Sequence, residues 1–351
     1  MSKVLIKIGT RDSPLAQWQS KLVKQLLQNK TIESELVLIK SEGDINLVTP
    51  LYEMGVQGIF TKTLDAALLK KQINIAVHSY KDIPTKLAEG LVIAAVLKRG
   101  NPYDLLVINR EKVFSKAELS LVKDEHSTFG KKDLTGITTE VMKSVFQEEL
   151  SGGNNYSELP FVIATSSARR KAQLLNRFPN ATIENLRGNV NTRIKKLNES
   201  NWHGAIFAAA GIERLGMGHV EGMELKWMLP APAQGSIAIV CRKDDKEVLE
   251  ICSALNHRET EICNAVEKDF LRILMGGCST PIGAHAIVKN GEIIFNGNVL
   301  SVDGKQKANV TLKSFTNNCE SLGTEAAELI LKDAGKVIID ELKNKQINNE
   351  E

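Results

Sequence analysis

The hydrophobic pattern of the first 110 residues alternates between short apolar runs and helical repeats. The runs that predict buried strands cover residues 4–8, 36–40, 73–77, 92–97 and 105–108. After the first run, apolar residues recur at helical spacing from Leu15 to Leu26 behind a Ser13-Pro14 start signal, and a second helix is predicted over 61–69. Strands that alternate with helices in this way predict an α/β domain with a largely parallel sheet.

A second α/β unit is predicted further along the chain. Between residues 110 and 160 the pattern weakens, and polar runs surround one amphipathic stretch at 138–150, which we interpret as a partly helical insertion. Regular alternation then returns with three strands and two helices, predicted over 162–164, 182–186, 205–209, 167–178 and 189–197.

Proline and glycine punctuate the chain at residues 229–236, LPAPAQGS. The strand predicted next, at 237–241, could return to the first sheet and make that domain discontinuous. Two helices, three strands and a closing helix follow, over residues 246–255, 260–275, 284–315 and 321–342. This last block is typical of a small α+β domain.

The predicted fold class is therefore α/β with three domains, as expected for 351 residues, which is long for a single core. The first domain takes residues 1–107 and 236–253. The second takes 108–229 and includes an insertion at about 111–160. The third, α+β and C-terminal, takes 256–351.

The composition of the chain argues against several classes of protein. A net charge of +3 and 5% aromatic residues do not favour nucleic-acid binding. Five cysteines without a Cys-x-x-Cys pair argue against a disulfide framework or a zinc site, and six scattered histidines predict no metal site. No run approaches the length of a membrane span, and the N-terminus lacks signal-peptide features. We expect a cytoplasmic location, or a plastid one if a transit peptide has been removed.

Arginines cluster after the predicted strands of the second unit. They are Arg169, Arg170, Arg187, Arg193 and Arg214. Guanidinium groups bind carboxylates and phosphates bidentately, and hydroxyl groups at a helix N-cap add neutral donors. A solvated basic face is the alternative, but five arginines at strand ends favour a cleft. With Arg11 at a helix start on the facing domain, this cleft suits a ligand with several carboxylates.

Asp82 is the one acid in the segment HSYKDIP, which follows a predicted strand. Beside Lys81 it could be only a surface ion pair. If it points into the arginine cleft, its carboxylate could stabilise a developing cation or pass a proton. His78, which directly follows an apolar strand, is interpreted as a structural residue, and Lys62 is left without a role.

Cys278 lies in a glycine-flanked loop, MGGCSTPIGAHA, at residues 275–286. A thiol in such a loop is reachable and could be a nucleophile or a covalent attachment point. By contrast, Cys241, Cys252 and Cys263 sit among apolar neighbours and are predicted to be core residues.

Seven motifs occur in the order and approximate spacing of one known family. They are IGTRDSPLAQWQ, HSYKDIP, ATSSARRKAQ, LRGNVNTR, LPAPAQG, LNHRET and GGCSTPIGAHA. From residue 4 to about 340, the chain resembles the porphobilinogen deaminases, also called hydroxymethylbilane synthases. The resemblance implies two α/β domains with mixed sheets, like those of periplasmic binding proteins, and a small α+β domain that carries the cysteine loop.

The resemblance implies a monomeric transferase of tetrapyrrole biosynthesis. Its small-molecule substrate is porphobilinogen, four molecules of which are condensed head to tail with release of ammonia, before hydrolysis frees the linear tetrapyrrole. A dipyrromethane cofactor is implied, attached through a thioether to Cys278. Asp82 matches the catalytic aspartate, whose carboxylate stabilises the cation that forms as ammonia departs.

Other polar residues match the family's contacts to carboxylate side chains. Those implied for the cofactor are Ser13, Lys81, Thr165, Ser167, Arg169, Arg170 and Arg193. Those implied for the substrate are Arg11, Arg170, Arg187 and Arg214. Gln57 stands where the family often has lysine, and we assign it no role.

Two other functions compete with this one. The first is a non-enzymatic binding protein of the periplasmic type for a carboxylate-rich ligand, which would need export and leaves Cys278 unexplained. The second is a cysteine-nucleophile transferase without a bound cofactor, which needs an activating histidine, and His285 is the nearest in sequence.

Overall fold

The computed structural model describes residues 5–40, 61–109, 162–220, 222–274, 280–332 and 334–347. Within these ranges the chain forms two mixed five-stranded sheets and one three-stranded antiparallel sheet, with helices packed against them. The predicted α/β class, with two mixed sheets and a small α+β domain, is confirmed. No helix in the described ranges is both long and apolar enough to cross a membrane.

The first sheet has the strand order β2-β1-β3-β10-β4. Its members are β1 (Ile6–Thr10), β2 (Ser34–Leu38), β3 (Ile75–Ser79), β4 (Leu91–Val96) and β10 (Ile237–Arg242). β10 runs antiparallel to both of its neighbours and is buried at every position, so the sheet is mixed and not largely parallel. A strand covered on both faces is apolar throughout, which explains why its sequence does not alternate.

Helices cover both faces of the first sheet. One face packs on α1 (Pro14–Gln28) and α6 (Lys246–Ser253), and the other on α2 (Lys62–Leu69). α1 begins where the sequence predicted, because Ser13 caps it and Pro14 occupies its first turn.

The second sheet has the strand order β7-β6-β8-β5-β9. Its members are β5 (Asp104–Ile108), β6 (Val162–Ala164), β7 (Thr182–Glu184), β8 (Gly204–Ala208) and β9 (Gly222–Glu224). Three helices pack against it: α3 (Ala168–Arg177), α4 (Val190–Glu199) and α5 (Ala209–Arg214). β9 and α5 were not predicted, since each is too short to show a periodic pattern.

The position of β5 corrects one predicted boundary. The sequence placed residues 1–107 in the first domain, but β5 pairs with β8 of the second sheet, with Leu105 opposite Phe207. The chain therefore crosses to the second sheet before Asp104. An apolar strand carries no mark of the sheet it joins, so this boundary was not readable from the pattern. The predicted insertion at 111–160 lies outside the described residues.

The third unit consists of the β-meander β11-β12-β13 and three helices. Its elements are α7 (Arg258–Ile273), β11 (Ile282–Lys289), β12 (Glu292–Leu300), β13 (Lys307–Phe315), α8 (Leu322–Lys332) and α9 (Gly335–Ile347). Phe270 and Phe295 meet edge to face in its core, with ring centroids 5.1 Å apart.

The single closing helix predicted at 321–342 is wrong, because two helices occupy this segment. Gly335, at the start of α9, lies so close to Ile330 of α8 that a Cβ atom would overlap it. Glycine thus allows the tight turn that separates the two helices.

Candidate active site

A cleft of about 520 Å³ opens where the three domains meet. Its described walls include residues 11–15, 81 and 82 from the first domain and residues 165–170 and 186–193 from the second. Gln234 is added by residues 229–236, the crossing segment that returns the chain from the second sheet to the first, and Leu271, Thr280 and Ile282 by the third domain. Most of these residues follow the carboxyl ends of strands, where ligands of α/β sheets bind.

Three helices direct their N-termini into this cleft. Ser13 caps α1 by accepting a hydrogen bond from the Ala16 amide, and Ser167 caps α3 by accepting one from the Arg170 amide. Asn189 caps α4, with its side-chain oxygen 2.9 Å from the Thr192 nitrogen. The positive ends of three helix dipoles make the cleft a suitable place for anions.

The predicted cationic residues gather in the same cleft. Arg11, Lys81, Arg169, Arg170, Arg187 and Arg193 all line it, together with Ser13, Thr165, Ser167 and Asp82. The structure therefore brings most of the predicted site residues together in one cleft, and their roles stay predictions. Arg214 and Cys278 are the two predicted site residues that the described walls do not include.

Arg169 and Arg170 are buried and share one acid, Asp104. Arg169 Nη1 lies 2.7 Å from Asp104 Oδ2, while Arg170 Nε and Nη2 lie 3.0 and 2.8 Å from Oδ1. Arg170 Nη1 also donates to the Ile206 carbonyl, so each of its nitrogens has one partner in the protein, while Nη1 and Nη2 each keep a second N–H. Arg169 Nε is buried and has no hydrogen-bond partner among the described residues, which leaves a donor for a ligand.

Asp104 stays ionised in this position. Burial alone would raise the pKa of its carboxyl, but the guanidinium groups of Arg169 and Arg170 outweigh burial and hold that pKa well below its ordinary value. Burial lowers the pKa of Arg170 despite its contact with Asp104.

Lys81 and Asp82 lie on a short 3₁₀ turn, Tyr80–Asp82, directly after β3. Lys81 Nζ is 3.3 Å from Gln234 Oε1. Burial lowers the pKa of Lys81 to about 8, and the nearby Asp82 carboxylate opposes that shift. Asp82 is thus the acid of a turn that faces several cations across the cleft.

Arg187 and Arg193 frame the cleft on the side of the second domain. Arg193 Nε donates to the Gly188 carbonyl at 2.7 Å. Gly188 has φ +111, a conformation that favours glycine and lets the LRGN turn bring both arginines to the same wall. Burial and the neighbouring cations Arg170 and Arg187 lower the pKa of Arg193 to about 10, and burial lowers that of Arg187.

Arg214 faces a different environment from the one predicted. Its Nη2 lies 2.5 Å from the Gly235 carbonyl, and its guanidinium carbon lies 5.8 Å from the centre of the Trp18 ring. The side chain thus links α5 to the crossing segment and to α1. Its position at the end of a helix after a strand did not reveal which way it would turn.

Cys278 lies outside the described residues, as does Gln57. The other four cysteines are buried, which confirms the core prediction for Cys241, Cys252 and Cys263. Burial raises the pKa of Cys241 to about 11 and those of Cys252 and Cys263 to about 12, so these thiols stay protonated and unreactive.

His78 and Lys62 do not line the cleft. His78 is buried in β3, and its Nε2 has no hydrogen-bond partner among the described residues. Burial, and secondarily the charge of Arg11, lowers the pKa of His78 to about 4. The structural interpretation of this histidine agrees with its burial. The described residues contain no cluster of three side chains that could hold a metal ion.

Sequence reasoning missed Asp104, Gln234 and Asn189. Asp104 precedes an apolar strand after Pro102, and an acid at the start of a buried strand is itself a signal for a buried ion pair. Gln234 lies between Ala233 and Gly235 in the crossing segment and gave no signal. Asparagine is a preferred N-cap residue, and the sequence predicted a helix start at Asn189. It did not indicate that this helix start lines the cleft.

Comparison with protein families matches nearly the whole chain. The model described as "Porphobilinogen deaminase, dipyromethane cofactor binding domain" matches residues 6–126 and 138–250, and "Porphobilinogen deaminase, C-terminal domain" matches 261–332. The chain belongs to the porphobilinogen deaminase family.

Curated relatives agree over nearly their full length. The porphobilinogen deaminase of Desulforamulus reducens is 39% identical over 342 residues, covering 96% of this chain and 98% of that protein. The porphobilinogen deaminase of a Nostoc species is 37% identical over 338 residues, covering 95% and 93%.

Solved structures give only distant likenesses. The periplasmic VFT2 domain of Bordetella pertussis BvgS matches with a TM-score of 0.36 and 12% identity, covering 72% of this chain and 86% of that one. The methionine-binding protein MetQ matches with a TM-score of 0.36 and 13% identity, covering 72% and 89%. Likenesses this low carry no weight in assigning the function.

Proposed function

We propose that this protein is a hydroxymethylbilane synthase. It condenses four porphobilinogen molecules head to tail, releases ammonia at each addition, and frees the linear tetrapyrrole by hydrolysis. The observation that carries the proposal is a cleft in which Asp82 faces a wall of arginines and three helix N-termini. This arrangement matches a substrate that bears carboxylates and develops positive charge as it reacts.

The cationic wall binds the acidic side chains. We assign Arg11, Arg187 and Arg170 to the substrate, and keep Arg214 as a predicted contact that would have to leave Gly235 and Trp18 to reach it. Guanidinium groups suit carboxylates because they present two parallel donors, so the wall orients the pyrrole rings as well as holding them.

Asp82 acts on the reacting ring. Its carboxylate sits on a turn that Lys81 and Gln234 tie to the crossing segment, which fixes where the negative charge lies. Such a fixed charge stabilises the cation that develops when ammonia leaves, and hydrogen bonding to pyrrole N–H groups keeps the ring in place.

The residues of the cleft fit a dipyrromethane cofactor, which also carries carboxylate side chains. Arg169 supplies a buried Nε without a partner, and the capping hydroxyl of Ser167 lies on the same wall. We assign Ser13, Lys81, Thr165, Ser167, Arg169, Arg170 and Arg193 to this group. When bound, the cofactor supplies the primer to which substrate units are added.

Cys278 is the proposed attachment point. It is two residues before Thr280, which lines the cleft, and two residues of chain span at most about 7 Å. The remaining cysteines are buried with raised pKa values and are unsuited to covalent attachment. Apart from the boundary that β5 corrects, the domain boundaries stay predictions, as do a cytoplasmic location and a monomeric state.

Intact mass of the purified protein tests this proposal. After expression in a host that makes haem, we expect a mass excess equal to two linked pyrrole units, and turnover of porphobilinogen. Cys278→Ala removes both, whereas Cys252→Ala, at a buried cysteine, keeps both. An unmodified wild-type mass without turnover would instead favour the non-enzymatic binding protein.

A further inference from the structure

One buried acid holds the cationic wall of the cleft together. Asp104 begins β5 and is 0% exposed. Its Oδ2 accepts from Arg169 at 2.7 Å, and its Oδ1 accepts from Arg170 at 2.8 and 3.0 Å and from Gln234 Nε2 at 3.0 Å. Both carboxylate oxygens therefore bond to protein groups, and the side chain is 0% exposed, which keeps it from contact with a ligand.

The two arginines would not meet without this acid. Arg169 and Arg170 are consecutive residues of α3, and consecutive helical side chains point about 100° apart. Both guanidinium groups nevertheless end at the same carboxylate. Backbone carbonyls complete their positions, Leu229 O for Arg169 and Ile206 O for Arg170. Asp104 on β5 thus fixes the orientation of two guanidinium groups that belong to a different element, α3.

The same acid reaches the opposite side of the cleft through Gln234. Gln234 Nε2 donates to Asp104 Oδ1 and to the Pro102 carbonyl, and its Oε1 lies 3.3 Å from Lys81 Nζ. Lys81 shares its 3₁₀ turn with Asp82. An unbroken hydrogen-bonded chain therefore joins the arginines of the second domain to the turn of the first domain that carries the proposed catalytic acid.

Stability alone does not explain this cluster. Buried ion pairs are weak evidence for stability, because desolvation offsets much of their attraction. Here one carboxylate pairs with two cations, Arg169 and Arg170, so a net positive charge remains at the cleft wall that these arginines line. An arrangement that keeps excess charge in fixed directions is suited to binding carboxylates in one pose.

We propose that Asp104 is a positioning residue, which orients Arg169 and Arg170 directly and Lys81 through Gln234 for recognition of carboxylate side chains. The proposal rests on the proposed function of the cleft. Asp104 has no contact with the reacting atoms in this role, because its oxygens are occupied by the protein.

Asp104→Asn tests the role, with Asp245→Asn as the matched control. Asp245 also pairs with a buried arginine, Arg242, and it lies outside the cleft lining. Since asparagine can still cap α6, the control removes the same charge from an arginine pair that is 20% exposed at the acid. We expect Asp104→Asn to raise KM for porphobilinogen at least tenfold and to reduce the fraction of protein that carries the cofactor. Asp245→Asn leaves both unchanged.

The pH dependence of kcat/KM separates a positioning role from a merely structural one, because a merely structural role would leave this dependence unchanged. The negative charge of Asp104 supports the Lys81 ammonium, so its removal lowers the pKa of Lys81 further. The alkaline limb of kcat/KM should move to lower pH in Asp104→Asn and disappear in Lys81→Arg, since arginine stays protonated. A folded Asp104→Asn variant with the wild-type KM and the wild-type limb overturns the proposal.

A second variant serves if Asp104→Asn does not fold. Gln234→Leu keeps the Asp104 charge and the arginine contacts but cuts the link to Lys81. A shifted alkaline limb with raised KM supports the proposal, and an unchanged profile overturns it. Wild-type protein without any turnover would defeat the proposed function itself, whereas an active wild type with Asp104→Asn equal to Asp245→Asn defeats only the positioning role.

Discussion

The Arg99 guanidinium binds both carboxylate oxygens of Glu267, at 2.6 and 3.1 Å. Glu267 is 0% exposed and also accepts from the backbone amides of Ala233 and Ala286, at 2.6 and 2.7 Å. Arg99 in turn donates from Nε to the Gln234 carbonyl at 2.8 Å. One ion pair therefore joins the crossing segment to the small third domain.

Glu267→Gln should destabilise the protein strongly. The change leaves Arg99, whose side chain is only 12% exposed, without its counter-ion, and breaking a buried pair in this way costs about 3–5 kcal/mol of the free energy of unfolding. Urea unfolding measures the loss, with Glu259→Gln at an exposed position of the same helix as control. Equal losses in the two variants would show that the pair does not hold the domains together.

Asp82→Asn should fold and load the cofactor but turn over slowly. The amide keeps the shape of the side chain and loses the negative charge that stabilises the developing cation. We expect kcat to fall by at least about 100-fold, in line with removal of one transition-state contact. Steady-state kinetics with porphobilinogen measures it, and Asp244→Asn, at an exposed turn, is the control. Near-normal turnover would remove Asp82 from its role.

Acid should destabilise the protein through His78. The folded pKa is about 4 and the ordinary value is 6.5. Between these values the unfolded chain binds a proton that the folded chain refuses, so stability falls as pH falls through this window. The group accounts for about 3 kcal/mol of that loss.

His78→Phe isolates this contribution. The ring is buried with an unpaired Nε2, so an apolar ring of similar shape is tolerated. The difference in unfolding free energy between about pH 7 and about pH 4 should shrink relative to wild type. His219→Phe, at an exposed site, should keep the wild-type difference, and a His78 variant that does the same would contradict the assignment.

Ala233→Gly should stabilise the crossing segment slightly. Ala233 has φ +63, a left-handed conformation that costs a residue with a Cβ about 1–2 kcal/mol. Glycine removes this strain but adds about 0.5–1 kcal/mol of chain entropy to the unfolded state. We expect a gain of up to about 1 kcal/mol by urea unfolding.

The comparison for that variant is Ala254→Gly. Ala254 has φ −66, so glycine relieves no strain there and should only destabilise. A loss at position 233 as large as that at position 254 would show that Ala233 is not strained.

Local pattern determined most of the elements and the family. The apolar runs of β3 and β10, the Ser13-Pro14 start of α1 and the motifs around Asp82 and Arg169 lie within short stretches of sequence. The interactions that form these elements are local, because strand periodicity, helix capping and glycine turns depend on residues close by in the sequence. The sequence therefore named most of the cationic residues that line the cleft, whereas Arg214 lies outside the described lining.

Only the tertiary structure decided which charges meet. In the tertiary structure β5 pairs within the second sheet, and Asp104 forms ion pairs with both Arg169 and Arg170. Arg214 contacts the Gly235 carbonyl and the Trp18 ring. A charged side chain takes the partner that the packing of distant strands and helices brings within about 3 Å, and no periodicity encodes that choice. The sequence alone thus indicated a carboxylate-binding cleft, and the fold decided which charged groups line that cleft and which pair with one another inside the protein.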